Sequence, residues 1–365
     1  MTRGMTSQLA DRIAETGLPL QDFFEMPAAQ LVRTLMVSES CIMPMDIRNE
    51  ALFNARRELD FVERHHIQTL FYGQPGYPVR LGEIPDAPLV LYKLGSADLD
   101  EQKALGWVGT RRATRRGIET CGKLIKEISD CGFRFSVISG LALGIDAAAH
   151  RAALDCGEPT VAVVAHGLNT IYPTQNRELA KRILASGGAI VSEYPSGTKP
   201  YRQNFLFRNR IVAGLSDGVV VVESPVKGGA MSTGTLAFGY NRALFAIPGR
   251  PEDEMSRGCN LLIRKNKAML ADSGSDIMEE LGWRAIGSRK IVENDVLKPE
   301  LTGIQAEIYS ILKDSRKSVS FDDLHHLLNK GNAAISVPEL MAALGEMEFD
   351  GVIAKLPGNR FETAF

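Results

Sequence analysis

Between residues 107 and 249 the chain alternates short, unbroken apolar runs with longer segments of helical period, and this alternation restricts the fold more than any other feature. The runs are Trp107-Val-Gly, Phe135-Ser-Val-Ile-Ser, Thr160-Val-Ala-Val-Val-Ala, Ala189-Ile-Val-Ser-Glu, Val219-Val-Val-Val-Glu and Leu244-Phe-Ala-Ile-Pro. A strand with one wet face alternates apolar and polar residues. A run without alternation needs cover on both faces, which is the situation of a parallel sheet between two layers of helices. Helical spacing around 115–130, 145–156, 176–186, 205–215 and 232–242 supplies those layers, in β-α units of about thirty residues. The expectation is a doubly wound, mostly parallel α/β domain over residues 67–284.

The flanks read differently. Residues 1–66 form an N-terminal helical region of short helices. A Pro/Gly-rich stretch, Tyr72-Gly-Gln-Pro-Gly-Tyr-Pro and Ile84-Pro-Asp-Ala-Pro, then leads into Leu89-Val-Leu-Tyr, expected as an edge strand. Polar residues at 285–299 mark a linker. Over 300–365, helices at 303–313, 321–329 and 337–349 and two strands around Pro357-Gly-Asn outline a winged helix. Its last helix carries Glu339, Glu346 and Glu348 and no Lys or Arg. Such a face repels phosphates, so this tail is expected to dock a protein or pack on the body.

Charge and composition remove several classes. With a net charge of −2 the chain is not coated for non-specific duplex binding, and any nucleic-acid site has to be local. No run approaches the roughly 20 apolar residues of a membrane helix, and the first residues lack the apolar core of a secretory signal, so a cytoplasmic protein is expected. The five cysteines are scattered, with no C-x-x-C pair, which speaks against a disulfide framework or a zinc site. No cofactor is implied.

Ligands of an open parallel sheet bind outside the carboxyl ends of its strands, so the segments that follow the strands are the candidates. After the first run come Gly109, Thr110, Arg111 and Arg112 as a helix opens, where bare amides and guanidinium forks suit anions. Arg115 and Arg116 read as a solvated face. After the second come Ser139, Gly140, Leu141, Ala142 and Gly144, followed by Asp146 and His150, read as a helix-stabilising i, i+4 pair. Neither G-x-G-x-x-G nor G-x-x-x-x-G-K-[ST] is present, which argues against a dinucleotide or Walker loop.

The third segment interleaves Lys199, Arg202, Arg208 and Arg210 with Tyr201, Phe205 and Phe207, with Asn209 among them and no acid. Cations that track a backbone and rings on which bases stack are what single-strand binding requires. One phenylalanine has to be core; Phe205 is assigned to stacking and Phe207 to the core. In the fourth, Lys227, Gly228 and Gly229 follow the most hydrophobic run, with Ser232 or Thr233 expected to cap the next helix. Alone, that segment also reads as a plain turn.

In this order the segments resemble the DNA-processing protein A family (DprA, also called Smf). The matching stretches include Val108-Gly-Thr-Arg-Arg, Ser139-Gly-Leu-Ala-Leu-Gly-Ile-Asp-Ala-Ala-Ala-His, Ile171-Tyr-Pro-Thr-Gln-Asn, Ile190-Val-Ser-Glu-Tyr-Pro-Ser-Gly, Asn204-Phe-Leu-Phe-Arg-Asn-Arg and Ile247-Pro-Gly. The likeness covers residues 50–280, with 300–362 similar to the family's winged-helix tail. It implies a Rossmann-like, non-catalytic protein that binds single-stranded DNA, protects incoming strands in natural transformation, loads the RecA recombinase and forms homodimers. The family's binding residues carry over to Arg111, Gly140, Ala142, Phe205 and Arg208, and more loosely to Arg202.

Two rival readings remain. A nucleoside-monophosphate phosphoribohydrolase shares a comparable frame and would use Glu193 and Glu223 as acid/base carboxylates, although the Pro-Gly-Gly-x-Gly-Thr run is missing. A winged-helix regulator that senses a nucleotide would bind duplex through the tail, against the acidic face noted above.

Overall fold

The computed structural model describes residues 7–132, 134–283, 301, 303–315, 318–330 and 335–363. The expected linker at 285–299 lies outside them. Nine strands pair into one sheet: β1 (Gln68–Phe71), β2 (Val90–Gly95), β3 (Ala104–Val108), β4 (Ser136–Ser139), β5 (Thr160–Val163), β6 (Ala189–Ser192), β7 (Gly218–Val221), β8 (Ala243–Ala246) and β9 (Met269–Leu270). Their spatial order is β1-β2-β6-β5-β4-β3-β7-β8-β9. Strands β3 to β9 run parallel, and β1 and β2 extend the β6 side antiparallel. The mostly parallel, doubly wound α/β architecture expected from the apolar runs is therefore present.

Among the described residues, four α-helices precede β1: α1 (Ser7–Thr16), α2 (Leu20–Glu25), α3 (Ala28–Leu35) and α4 (Met45–Arg64). A short α5 (Val79–Gly82) precedes β2. The sheet is covered by α6 (Arg115–Ser129), α7 (Ile145–Cys156), α8 (Arg177–Ala185), α9 (Arg202–Gly214), α10 (Gly229–Gly239), α11 (Arg257–Arg264) and α12 (Gly274–Glu280). Every residue of β3 to β7 is buried, which is why those runs lack polar alternation. The period of two reappears as a division between faces. Val219 and Val221 pack with Ile211, Val212 and Ala237 of α9 and α10, whereas Val220 and Val222 pack with Leu124 and Ile125 of α6 and Ala149 of α7.

Several details differ from expectation. The Leu89–Tyr92 segment is no edge: β2 lies between β1 and β6, and β1, which carries no strong apolar signal, is the outer strand. Short β9 also escaped the pattern. Helix α9 begins at Arg202 rather than 205 and α10 at Gly229 rather than 232. Consequently neither Ser232 nor Thr233 caps α10; its N-cap is Gly228, without a side-chain bond, and Thr233 is buried inside the helix.

The N-terminal helices gather a core of their own, with Leu9, Ile13, Phe23, Leu31, Leu35 and Ile42 buried. Arg48 of α4, 1% exposed, donates to the carbonyl oxygens of Phe23, Met26 and Met43. It thereby satisfies acceptors that the ends of short helices leave open. In the tail, α13 (Ile304–Ser315), α14 (Phe321–Lys330) and α15 (Val337–Phe349) pack on a three-stranded antiparallel sheet of β10 (Val319–Ser320), β11 (Ile353–Leu356) and β12 (Arg360–Thr363), ordered β10-β12-β11. Strand β10, two residues long, joins the two expected strands as a third. Glu339 closes a capping box with Ser336, so one of the three acids of α15 serves its own helix end.

Candidate functional site

From β3 the chain winds outward through β4, β5 and β6, then returns to place β7 on the opposite side of β3. That reversal opens a crevice at the carboxyl ends of the strands, where helices leave in opposite directions. A cleft of about 580 Å³ occupies it. Its lining comes from all the expected segments: Gly109, Thr110 and Arg111; Ala142 and Asp146; Arg202, Phe205, Arg208 and Asn209; Lys227, Gly228 and Gly229. Tyr172, Pro200, Leu206, Pro225, Ser232 and Thr233 join them. Arg111, Arg202 and Arg208, contributed by two segments, face the same space.

The floor is built by close backbone approach. Gly144 has φ +79°, and a Cβ there would lie 2.2 Å from the carbonyl oxygen of Thr110, so only glycine lets the turns after β3 and β4 meet. The Thr110 amide donates to the Glu223 carbonyl oxygen (2.7 Å), and the Ile145 amide to the Thr110 carbonyl oxygen (3.3 Å). Ser139 donates its hydroxyl to the Trp107 carbonyl oxygen (2.6 Å). Leu141 adopts φ +60°, and buried Asn176 donates to the carbonyl oxygens of Leu141 (2.9 Å) and Ala142 (3.1 Å). Ser139, Gly140, Leu141 and Gly144 therefore shape the floor without lining the cleft.

Arg208 is set into that floor. It is 4% exposed, and its Nε has no hydrogen-bond partner among the described residues. A Cβ at Gly140 would lie 1.6 Å from its Nη1, so the missing side chain at 140 is the space that the guanidinium occupies. Burial holds Arg208 below the ordinary arginine range; Asp146 pulls it back up, and Arg111 pushes it further down. Asp146 is held above the usual carboxylate range by its own burial, against the attraction of Arg208 and a bond from the Ala142 amide. A desolvated guanidinium without a hydrogen-bonded counter-ion is costly by itself, and an entering anion offsets that cost.

An aromatic wall stands beside it. The Arg111 guanidinium lies over the Phe205 ring, 4.9 Å from its centroid, and the Tyr172 ring meets Phe205 at 5.9 Å and 57°. Stacked cation and rings of this kind present both a π surface and a phosphate partner to an unpaired base. Opposite, α10 starts at Gly229 with no acid in its first turn and no side-chain cap, which leaves bare amides and the positive end of the helix dipole at the cleft. By contrast, Asp146 stands in the first turn of α7, and the Glu223 carboxylate accepts from the amide (2.9 Å) and hydroxyl (2.5 Å) of Thr114, the N-cap of α6.

Other expected residues lie elsewhere. Lys199 and Arg112 are exposed beside the cleft rather than in its lining. Arg210 points away to Glu193 (2.5 Å) and Asp86 (3.8 Å), so its charge is consumed by a partly buried ion pair. Burial raises the Glu193 carboxyl, with Arg210 opposing. Neither Glu193 nor Glu223 lines the cleft. Two readings need correction. Phe207 is 61% exposed and not core; α9 turns Arg208, Ile211 and Val212 inward instead. Asp146 and His150 form no pair: His150 bonds Thr160 Oγ1 at 2.6 Å beneath the helix, and burial lowers its pKa to about 3.

Sequence reasoning missed Tyr172 and Asn176 as parts of the site. Both belong to the segment after β5, and the strand-end rule that selected the other loops applies equally to this one.

The family model described as DNA recombination-mediator protein A matches residues 68–282. Protein Smf of Synechocystis sp. is 34% identical over 344 residues, which cover 86% of each chain. DNA processing protein DprA of Streptococcus pneumoniae is 39% identical over 204 residues, 56% of this chain and 71% of the relative. The X-ray structure of DNA processing protein A from that organism is similar with a TM-score of 0.60 at 30% identity, covering 76% of this chain and 98% of that one. The corresponding Helicobacter pylori protein, solved for its single-stranded DNA binding mode, gives 0.52 at 31%, covering 59% and 95%.

Proposed function

This chain belongs to the DNA recombination-mediator protein A family, and on that premise we propose that its cleft holds single-stranded DNA without performing chemistry on it. Arg208 carries the reading: a buried guanidinium in the cleft lining, its Nε without a hydrogen-bond partner among the described residues, waits for a phosphate. Phe205 and Tyr172 then take bases that a duplex keeps paired and stacked, while Arg111, Arg202 and Lys227 follow the backbone. In this reading the protein acts in the cytoplasm as a homodimeric recombination mediator that delivers the strand to a RecA-type recombinase during DNA uptake.

A hydrolytic role is not favoured. Its carboxylates would have to face the cleft, whereas Glu193 is engaged by Arg210 and Glu223 by Thr114. The decisive measurement is fluorescence anisotropy with single-stranded and duplex DNA of equal length. Single-strand binding at least tenfold tighter, lost in Arg208→Ala, supports the proposal; equal affinity for duplex overturns it. Release of free base from nucleoside monophosphates would sink the non-catalytic part.

A further inference from the structure

The cleft's outer wall is fastened to a helix of another region. The loop from Glu193 to Tyr201 joins β6 to α9 and carries Lys199, Pro200 and the approach to Arg202. Halfway along it, the Ser196 amide donates to both carboxylate oxygens of Glu58 (2.8 and 2.9 Å), and the Ser196 hydroxyl donates to Oε2 (2.6 Å). Glu58 belongs to α4, and it is the half-buried member of a stretch, 52–60, that is otherwise exposed. The buried residues that hold the N-terminal helices together are a separate cluster from those of the sheet. Glu58 thus ties the cleft-wall loop to α4, the helix that Arg48 joins to the N-terminal helices.

The same loop is interlocked with the one bearing Tyr172. The Gly197 amide donates to Asn169 Oδ1 (2.9 Å), and the Gly167 amide to the Thr198 carbonyl oxygen (3.0 Å). A Cβ at Gly167 would lie 2.5 Å from the Pro195 carbonyl oxygen, so the two loops touch backbone to backbone. One turn further, the Tyr172 amide donates to His166 Nε2 (3.2 Å). A shift at Ser196 therefore reaches both the cationic and the aromatic side of the cleft.

We propose that Glu58 is a positioning residue for the strand-binding cleft, and that α4 is the handle through which the N-terminal region sets the grip on DNA. This rests on the single-strand reading above. With the carboxylate in place, the loop is ordered before DNA arrives; without it, Lys199 and Arg202 are ordered only on binding, and that entropic cost falls on affinity. A partner or modification that drew α4 away from Ser196 would loosen the cleft without touching a cleft residue.

The test measures two quantities on the full chain: single-strand affinity, and amide exchange over 196–204. Glu58→Ala is expected to weaken binding about tenfold, the cost of ordering two long side chains, and to speed exchange in that loop while the amides of β3 to β7 stay protected. Ser196→Ala should weaken binding in the same direction, and the double variant should be no weaker than the worse single one. Asp60→Ala, an exposed acid on the same helix, is the control and should match the parent. Unchanged affinity in Glu58→Ala, or unchanged exchange over 196–204, overturns the proposal. A parent protein that binds no single strand sinks the functional reading instead, and the exchange measurement alone then decides whether Glu58 holds the wall.

Discussion

A Cβ at position 140 would fall 1.6 Å from Nη1 of Arg208, so the glycine and the arginine occupy one another's space across the cleft floor. The arginine can be seated in the floor because its neighbour has no side chain. Position 144 makes a different demand, since there the obstructing atoms are backbone, the Thr110 oxygen at 2.2 Å and the Arg111 carbonyl carbon at 2.9 Å.

Two glycine-to-alanine changes should therefore separate function from stability. Gly140→Ala displaces the far end of a flexible side chain; single-strand affinity should fall at least tenfold while folding stability changes by less than about 1 kcal/mol. Gly144→Ala meets backbone and an unfavourable φ of +79°, and should cost about 3 kcal/mol of stability. Thermal melts beside anisotropy titrations decide; equal destabilisation by both would contradict the floor geometry.

Phe205→Ala should weaken single-strand binding by about 1–3 kcal/mol, the usual worth of an aromatic platform, and Tyr172→Ala by less, because its ring meets Phe205 at an angle and stands at the rim. Phe207→Ala should leave affinity unchanged, since that ring does not line the cleft. A larger loss at Phe207 than at Phe205 would reverse the assignment.

Four cations line the cleft: Arg111, Arg202, Arg208 and Lys227. If each neutralises a phosphate, log affinity should fall against log salt with a slope of about −3. Arg202→Ala should make the slope shallower by about 0.7. Arg210→Ala should leave it unchanged yet destabilise the fold by about 3–5 kcal/mol, because Glu193 would remain buried without its partner. Titrations over a salt series and denaturant melts measure both.

His150 makes stability depend on acid. Its pKa is lowered from 6.5 to about 3, so the native state refuses a proton that the unfolded chain accepts. The contribution is complete above pH 6.5 and is lost as pH falls from there toward 3, on the order of 5 kcal/mol in all. His150→Asn, which lacks that titration, should flatten this part of a pH–stability curve; an equally steep acid limb in the variant would remove His150 as its cause. Asp146 works with the opposite sign. Its pKa is raised, so its contribution is present below the ordinary carboxylate range and lost as pH rises through the raised value.

The sheet was legible because burial on both faces removes polar residues from a strand, and each unbroken run from Trp107 to Leu244 marked one. Strands β1 and β9 carried no such mark: β1 is a partly exposed edge and β9 has two residues. The glycine turns and the cations of the cleft were legible for a related reason, since strand ends of a parallel sheet converge at one rim. The allocation of side chains along α9 was not. Periodicity places residues on a face without saying which face meets apolar core and which meets a cavity, so the spacing alone suggests a core place for Phe207, which is exposed, and does not show that Arg208, a cleft residue as expected, is also buried.

From the order of its residues alone, this chain specified a parallel sheet, the loops at its binding rim, and the basic, aromatic and glycine character of those loops. Such features follow from local periodicity and from the chemistry each residue carries wherever it lies. Only the folded molecule decided that Arg208 fills the space left by Gly140, that Arg210 spends its charge on Glu193, and that Glu58 fastens the cleft wall from about 140 residues away. Each of those is a distance between segments remote along the backbone, and a distance is set by packing, which no stretch of sequence contains.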